Sequence, residues 1–280
     1  MILTGPELAH TLEAAEATHL SRQVAAYRQL SGREECRSIA ICGGVAALTN
    51  PGFGRKLNHV TGLGMGAPVN SNQLAQLEAI YDAQGLETQC DICPHADSST
   101  LTVLAERGYV VNAFSNTYVR HLTPADTYAA AHGGNGIEII ADRALVARTF
   151  ISNSVTGFSL QAVNRPLILL ETLAQIALQR SDTLLFAATV DGKVAATAGM
   201  SLIETPLGLL AHLYIASTLP AYRGRGAQLA LLHARLTAAQ DAGCTLASVT
   251  ARPANSSARN TERAGFSLAY TKSTFIKRRA

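Results

Sequence analysis

The chain has 280 residues, 48% hydrophobic and 15% charged, a globular composition with enough material for two domains. The formal net charge of +3 is small, the arginines are scattered and no basic and aromatic stripe runs through the chain, which argues against a nucleic-acid partner. No apolar run reaches membrane-spanning length, the N-terminus lacks the pattern of a signal peptide, and five cysteines, an odd number, suit reduced thiols, so a cytoplasmic protein without a membrane partner is expected.

In chain order, a helix is expected from Pro6 to about Leu30, then a strand-like run over Ser38–Leu48, a loop over Asn50–Gly54 and a second apolar run around His59–Met65. A helix over Asn72–Gln84, a strand over 86–93, a helix over 98–107 and a strand opened by Gly108-Tyr109 and running to about Leu122 complete a first domain, residues 1–122. Gly62, Gly64 and Gly66 alternate in a strand-like segment, which suits a bulge or a close backbone approach. Cys90 and Cys93 have a CxxC spacing followed by His95, which invites a metal reading. Positions three apart in a strand face opposite sides, however, and no second Cys/His pair has ligand spacing, so no metal is expected. Cys36, Cys42 and Cys244 sit in apolar settings and read as small core residues. His59 and His95 are the polar residues of this half best suited to face a ligand; satisfied core or surface histidines are the alternative.

Residues 123–135 contain Pro124, three successive alanines and Gly133-Gly134 and read as an interdomain linker, with a second domain over 136–280. That domain opens with a strand over Gly136–Ile140, then helices over Asp142–Ser154 and Arg165–Arg180 separated by Gly157-Phe158 and its neighbours. Strands over Thr183–Val190 and Lys193–Ile203 are joined by the hairpin pair Asp191-Gly192. Leu209–Thr218 is a strand ended by Pro220, and a helix runs from Gln228 to Asp241, stopped by Gly243. A strand over Thr245–Thr250, a helix over Asn255–Ala264 and a last strand opened by Gly265-Phe266 and reaching about Ile276 complete the chain.

Between the Leu209–Thr218 strand and its helix lies Arg223-Gly224-Arg225-Gly226-Ala227-Gln228. Glycines let the backbone turn tightly while N–H groups collect at a helix N-terminus, which is an anion site suited to phosphate oxygens. Neither GxGxxG nor the P-loop is matched. The arrangement Arg-x-x-Gly-x-(Gly/Ala), after a strand ending Thr-x-Pro-x-Tyr and followed by strand, helix and Gly265-Phe266, resembles the GNAT family of acetyl-CoA-dependent N-acyltransferases over roughly Gly136–Arg279. One position departs: Gln228 stands where the motif has Gly or Ala. Leu101–Tyr109 parallels Asn260–Phe266, as though a GNAT-like unit occurred twice, but the first copy has Gly66-Ala-Pro-Val-Asn-Ser-Asn72 in place of the phosphate turn.

The resemblance implies an α/β (α+β) GNAT fold, a mixed, mostly antiparallel central sheet flanked by helices, in two tandem GNAT-like domains of which the first is degenerate. It implies acetyl-CoA as acyl donor, with Ala216, Ser217 and Thr218 lining the thioester and pantetheine and Arg223, Gly224, Arg225, Gly226, Ala227, Gln228 and Leu229 holding the pyrophosphate. Asn255, Ser257 and Asn260 are further candidates for contact with the thiol or the pantetheine amide, Asn255 otherwise serving as a helix cap. The helix-loop-helix before the sheet borders the acceptor pocket in this family, so Phe158 shapes specificity or is core.

An amine must be neutral to attack a thioester, so a base is needed. Strand alternation puts Leu210, His212, Tyr214, Ala216 and Thr218 on one face. His212 lies where a glutamate base sits in some GNAT enzymes and, with an ordinary pKa of ~6.5, can accept a proton near neutral pH; a histidine bonded within the sheet is the alternative. Tyr214 can bind substrate or donate a proton. The family's usual acid, a tyrosine, is replaced by Thr261. The expected activity is acetyl transfer to a small amine by a monomer or homodimer. An acyl-CoA-binding pseudoenzyme and a thioester hydrolase or O-acyltransferase are the alternatives.

Overall fold

The computed structural model describes residues 4–128, 136–159 and 165–278. The alanines and glycines expected as the heart of the linker lie outside the described residues. The chain divides into two compact units, Met1–Thr117 with Ala251–Pro253 and Leu268–Ala280, and Tyr118–Thr250 with Ala254–Ser267. No described helix is long and apolar enough to cross a membrane.

The first unit contains α1 (Pro6–Ser31), β1 (Arg37–Ile41), β2 (Gly44–Leu48), a 3-10 segment (Pro51–Lys56), β3 (Val60–Thr61), α2 (Ser71–Ala83), β4 (Thr88–Ile92), α3 (Ser99–Glu106), the start of β5 (Val110–His121) and nearly all of β11 (Ser267–Lys277). The ladder order β1-β2-β3-β4-β11 is antiparallel except for the parallel step from β3 to β4. The run expected as one strand over Ser38–Leu48 is a hairpin, because Cys42 (φ +42°) and Gly43 (φ +81°) both take the left-handed conformation a tight turn needs. The apolar run around His59–Met65 supplies only a two-residue strand: Gly62, Gly64 and Gly66 all have φ between +72° and +79°. These glycines pass close to the hairpin, where a Cβ on Gly43 would lie 2.1 Å from the Met65 carbonyl oxygen. The N-terminus of α2 is capped by the Asn70 side chain, which accepts from Asn72 (3.0 Å) and Gln73 (3.1 Å).

Sequence order placed the last strand with the second half of the chain, but its ladder partner is β4, with Ser273 opposite Ile92 and Phe275 opposite Cys90. It brings Lys272, fully buried, to the carboxylates of Glu13 (3.1 Å) and Glu16 (2.6 Å) on α1, while Tyr270 donates to Glu13 (2.8 Å). Thr274 donates to Asp91 (2.6 Å), which also meets Arg55. His59 lies 3.8 Å from Asp91, and burial lowers its pKa to about 4, so it is neutral at pH 7. His95 packs edge-on to Tyr270, with ring centroids 6.5 Å apart. Cys90 and Cys93 are buried thiols, and among the described residues no group of His, Cys, Asp or Glu is arranged to hold a metal ion.

The second unit contains the end of β5, then β6 (Ile137–Ile140), α4 (Arg143–Ser159), α5 (Leu167–Gln179), β7 (Thr183–Val190), β8 (Lys193–Thr205), β9 (Gly208–Thr218), a 3-10 turn (Pro220–Tyr222), α6 (Ala227–Asp241), most of β10 (Leu246–Ala251) and α7 (Ser256–Arg263). Strands β6 to β10 pair in sequence order, antiparallel until the parallel step from β9 to β10. Helices α4 and α5 cover one face through Val146, Phe150, Ala174 and Ala177 against Leu185 and Ala187, and α6 packs on the same strands from the other face. Each unit therefore repeats one plan: a strand, a helix, a parallel strand, a second helix.

Replacing Lys272 by Met leaves the fully buried Glu13 without its cation, and a loss of about 3–5 kcal/mol is expected. Urea unfolding of the variant checks this. Adding Glu13→Gln should recover part of the loss.

Candidate active site

The ladder between β8 and β9 is regular from Thr205 opposite Gly208 up to Gly199 opposite Tyr214, then slips by one, so that Thr197 stands opposite Ser217. The extra residue forms a β-bulge at Ile215, whose φ of +47° is unusual for a β-branched side chain. Gly199 makes the bulge possible, because a Cβ there would meet Ile215 Cγ2 at 3.0 Å and Tyr214 Cε1 at 3.3 Å. The slip changes which side chains share a face. Ser201 and Thr197 lie on one face of β8, and their partners are His212 and Ser217. Thr218, placed with His212 by simple alternation, faces the other way, and Ser217 takes its place.

Beside the bulge the parallel pair opens. The register runs from Leu246 opposite Leu210 to Val249 opposite Leu213, and β9 continues to Thr218 beyond it. Backbone groups of Tyr214 to Thr218 on that edge are thus released from the β10 ladder, directly before the glycine turn.

On the face covered by α4 and α5, Thr183, Ser201, His212 and Ser248 form a buried row across four strands, each opposite the next. His212 is 7% exposed, and its Nδ1 is 3.0 Å from the Ser248 hydroxyl. The Tyr214 ring stacks beside His212 with centroids 6.4 Å apart, and its phenol is 2.8 Å from the Thr183 hydroxyl. Arg180 holds Asp182 through two bonds (2.9 and 2.7 Å), donates to Ser201 (3.0 Å) and sits 5.8 Å from the centroid of the Tyr214 ring. Burial raises the Tyr214 pKa, and the Arg180 cation and the Thr183 and Ser201 hydroxyls offset this only in part, so the phenol keeps its proton at neutral pH.

Helix α4 runs further than the sequence indicates: Gly157 and Phe158, expected in a loop, form its last turn. Phe158 is half-buried. Gly157 lets the helix press onto β9, since a Cβ there would lie 2.5 Å from Ser217 Oγ. The hydroxyls of Ser154, Thr197 and Ser217 are buried near this contact with no hydrogen-bond partner among the described residues. Arg223 donates to the Thr218 carbonyl (3.3 Å) and the Gly157 carbonyl (3.1 Å), so its guanidinium ties the end of β9 to α4.

Gly224 (φ +79°) and Gly226 (φ +91°) turn the chain into α6. Ala230 is the first residue whose N–H reaches back to this turn, bonding the Gly226 carbonyl at 3.0 Å, so the N–H groups of Ala227, Gln228 and Leu229 form the unpaired helix start. Among the described residues a Cβ on Gly224 would meet nothing within 4 Å, and one on Gly226 would meet Ile137 Cδ1 at 3.7 Å. Arg225 is exposed, 3.7 Å from Asp191, with its guanidinium 5.6 Å from the centroid of the Tyr222 ring. Asn255 caps α7 by accepting from the Ala258 N–H (2.7 Å), Ser257 and Asn260 are half-buried on that helix, and Thr261 is buried.

Residues 158–266 match the model of the acetyltransferase (GNAT) family. This segment is a GNAT domain. No curated protein matches the chain in sequence. Among solved structures it is similar to a GCN5-related N-acetyltransferase from Kribbella flavida, at 16% identity and a TM-score of 0.61 over 94% of this chain and 96% of that one. One from Sphaerobacter thermophilus gives 16% identity and a TM-score of 0.59 over 98% and 94%. A tandem GNAT protein from the clavulanic acid biosynthesis pathway gives 14% and 0.57 over 84% and 78%. At these identities the likeness establishes the GNAT fold. The mixed α/β architecture with a mostly antiparallel sheet, expected from the resemblance, is the one observed.

The sequence reading singled out His212, Tyr214 and the glycine turn; it did not single out Arg180, Asp182, Thr183, Ser201 and Ser248, which lie around His212 and Tyr214, or the bulge. Gly199, an isolated glycine inside an apolar strand, was the available signal for the bulge. Gly157→Ala is expected to cost about 1–3 kcal/mol by overpacking against Ser217. Thermal unfolding in the wild-type and Ser217→Gly backgrounds checks this, with a smaller penalty expected in the second.

Proposed function

We propose that the chain transfers an acetyl group from acetyl-CoA to a small amine, and that the second unit carries the reaction. One observation carries this reading: the β9 bulge, the opening of the β9/β10 pair and the glycine turn into α6 follow one another within a single stretch of chain. Acetyl-CoA supplies an acetyl group activated as a thioester. The residues present fit it. The helix start at Ala227–Leu229 and the left-handed Gly224 and Gly226 suit the pyrophosphate, and the released backbone of Ala216–Thr218 suits the pantetheine. Arg225, exposed on the turn, is the cation available to the phosphates, whereas Arg223 holds α4 and β9 together.

His212 serves as the base, with Ser248 orienting its ring through Nδ1. The protonated Tyr214 phenol, fixed by Thr183, is the neighbouring donor. A thiolate leaves readily without a strong acid, so Thr261 in place of the family's tyrosine is compatible with turnover. The acceptor lies under α4 and α5, against Phe158 and the Ser154, Thr197 and Ser217 hydroxyls. These surroundings suit a modestly polar amine better than a polycation.

Calorimetric titration of acetyl-CoA should show binding to the wild type and none to an Arg225→Glu, Gly226→Asp double variant. Absence of binding to the folded wild type would sink the acetyltransferase reading. With an accepted amine, His212→Ala should lower kcat by about 10²–10⁴-fold while acetyl-CoA binding persists. CoA release without an N-acetyl product would instead indicate thioester hydrolysis, and binding without release an acyl-CoA sensor.

A further inference from the structure

We infer that Arg235, a buried arginine on α6, is a positioning residue for acyl transfer: it fixes the β9 bulge and supplies uncompensated positive charge behind the thioester carbonyl. The inference rests on the proposed binding of acetyl-CoA along β9.

Arg235 is 1% exposed, the largest of the fully buried side chains. Buried charges are ordinarily paired with an opposite charge. Among the described residues, the other strongly buried Lys and Arg side chains each have one: Lys272 has Glu13 and Glu16, and Arg180 has Asp182. Arg235 donates instead to two neutral carbonyls, Leu231 on its own helix (3.0 Å) and Gly199 on β8 (3.2 Å), and among the described residues no carboxylate pairs with it. Burial alone acts on its pKa, lowering it to about 9, which still leaves the guanidinium charged at neutral pH.

Its acceptor is informative. Gly199 is the last β8 residue in register before the slip, opposite Tyr214 and next to the left-handed Ile215. Arg235 therefore grips the sheet at the bulge, from the face opposite His212 and Tyr214. A cation held in a dry interior beside a backbone turn that exposes N–H groups raises the positive potential there, and such preorganised charge favours an oxygen that gains negative charge during reaction. A purely structural role, donation to the Gly199 and Leu231 carbonyls, would be filled as well by a neutral donor, which spares the cost of burying an unpaired charge.

The test reads the field and not turnover. Isotope-edited infrared difference spectra of acetyl-CoA, labelled at the acetyl carbonyl and bound to the full chain, should show the thioester stretch at lower frequency than in free acetyl-CoA. Arg235→Gln retains a donor for the Gly199 carbonyl but no charge, and should move the stretch back toward its free value. Arg235→Lys retains the charge and should keep most of the shift. Arg235→Met, which removes both the charge and the donor, should lose the shift as well; if that variant fails to fold, the Gln and Lys pair decides. A stretch that is the same in the wild type and the Gln variant overturns the inference while leaving the proposed function standing. No acetyl-CoA binding by the wild type overturns both.

Discussion

The slip of one residue between β8 and β9 is the constraint on which the second unit depends. A regular ladder would have kept β9 bonded on both edges and its side chains in strict alternation. The extra residue at Ile215 takes a left-handed φ and turns Ser217 toward α4, and the strand continues to Thr218 beyond its β10 register. Three neighbours make that distortion tolerable. Gly199 removes a Cβ that Ile215 and Tyr214 would strike, Arg235 bonds the Gly199 carbonyl, and Gly157 lets α4 close over Ser217. Strain of this kind persists only where the surroundings over-determine it.

Around the bulge the domain gathers polar groups that would be costly anywhere else in an apolar interior. Thr183, Ser201, His212 and Ser248 stand in one row across four strands, and Arg180 with Asp182 closes it at the end of α5. Buried polar groups are usually bonded, and these form a network in which His212 and Tyr214 have fixed orientations. The contrast with the first unit is instructive. There the parallel step from β3 to β4 is present, but the strand before it is two residues long, its glycines serve close packing against a hairpin, and the next helix start is capped by Asn70. The buried charges of that unit are paired, Lys272 with Glu13 and Glu16 and Asp91 with Arg55, as expected where charge serves architecture.

The sequence by itself determined most of the element order, because apolar periodicity, hairpin pairs and helix stops are local. Asp191-Gly192, the strand ending at Pro220, the arginine-glycine turn and Gly265-Phe266 were legible from neighbouring residues and identified the fold. Local signals failed where a turn used an unexpected residue, as at Cys42, or where a glycine usually read as a helix end sits inside a helix, as at Gly157. Tertiary structure alone decided the rest. Alternation counted along β9 cannot show a bulge whose cause is a glycine on β8, and nothing near Arg180, Ser201 or Ser248 in the chain marks them as neighbours of His212 and Tyr214. Nor can it show that the last strand pairs with β4, where a lysine from the end of the chain meets two glutamates from its beginning. Such contacts are set by register and burial between distant segments, and a single sequence records only the residues that satisfy them.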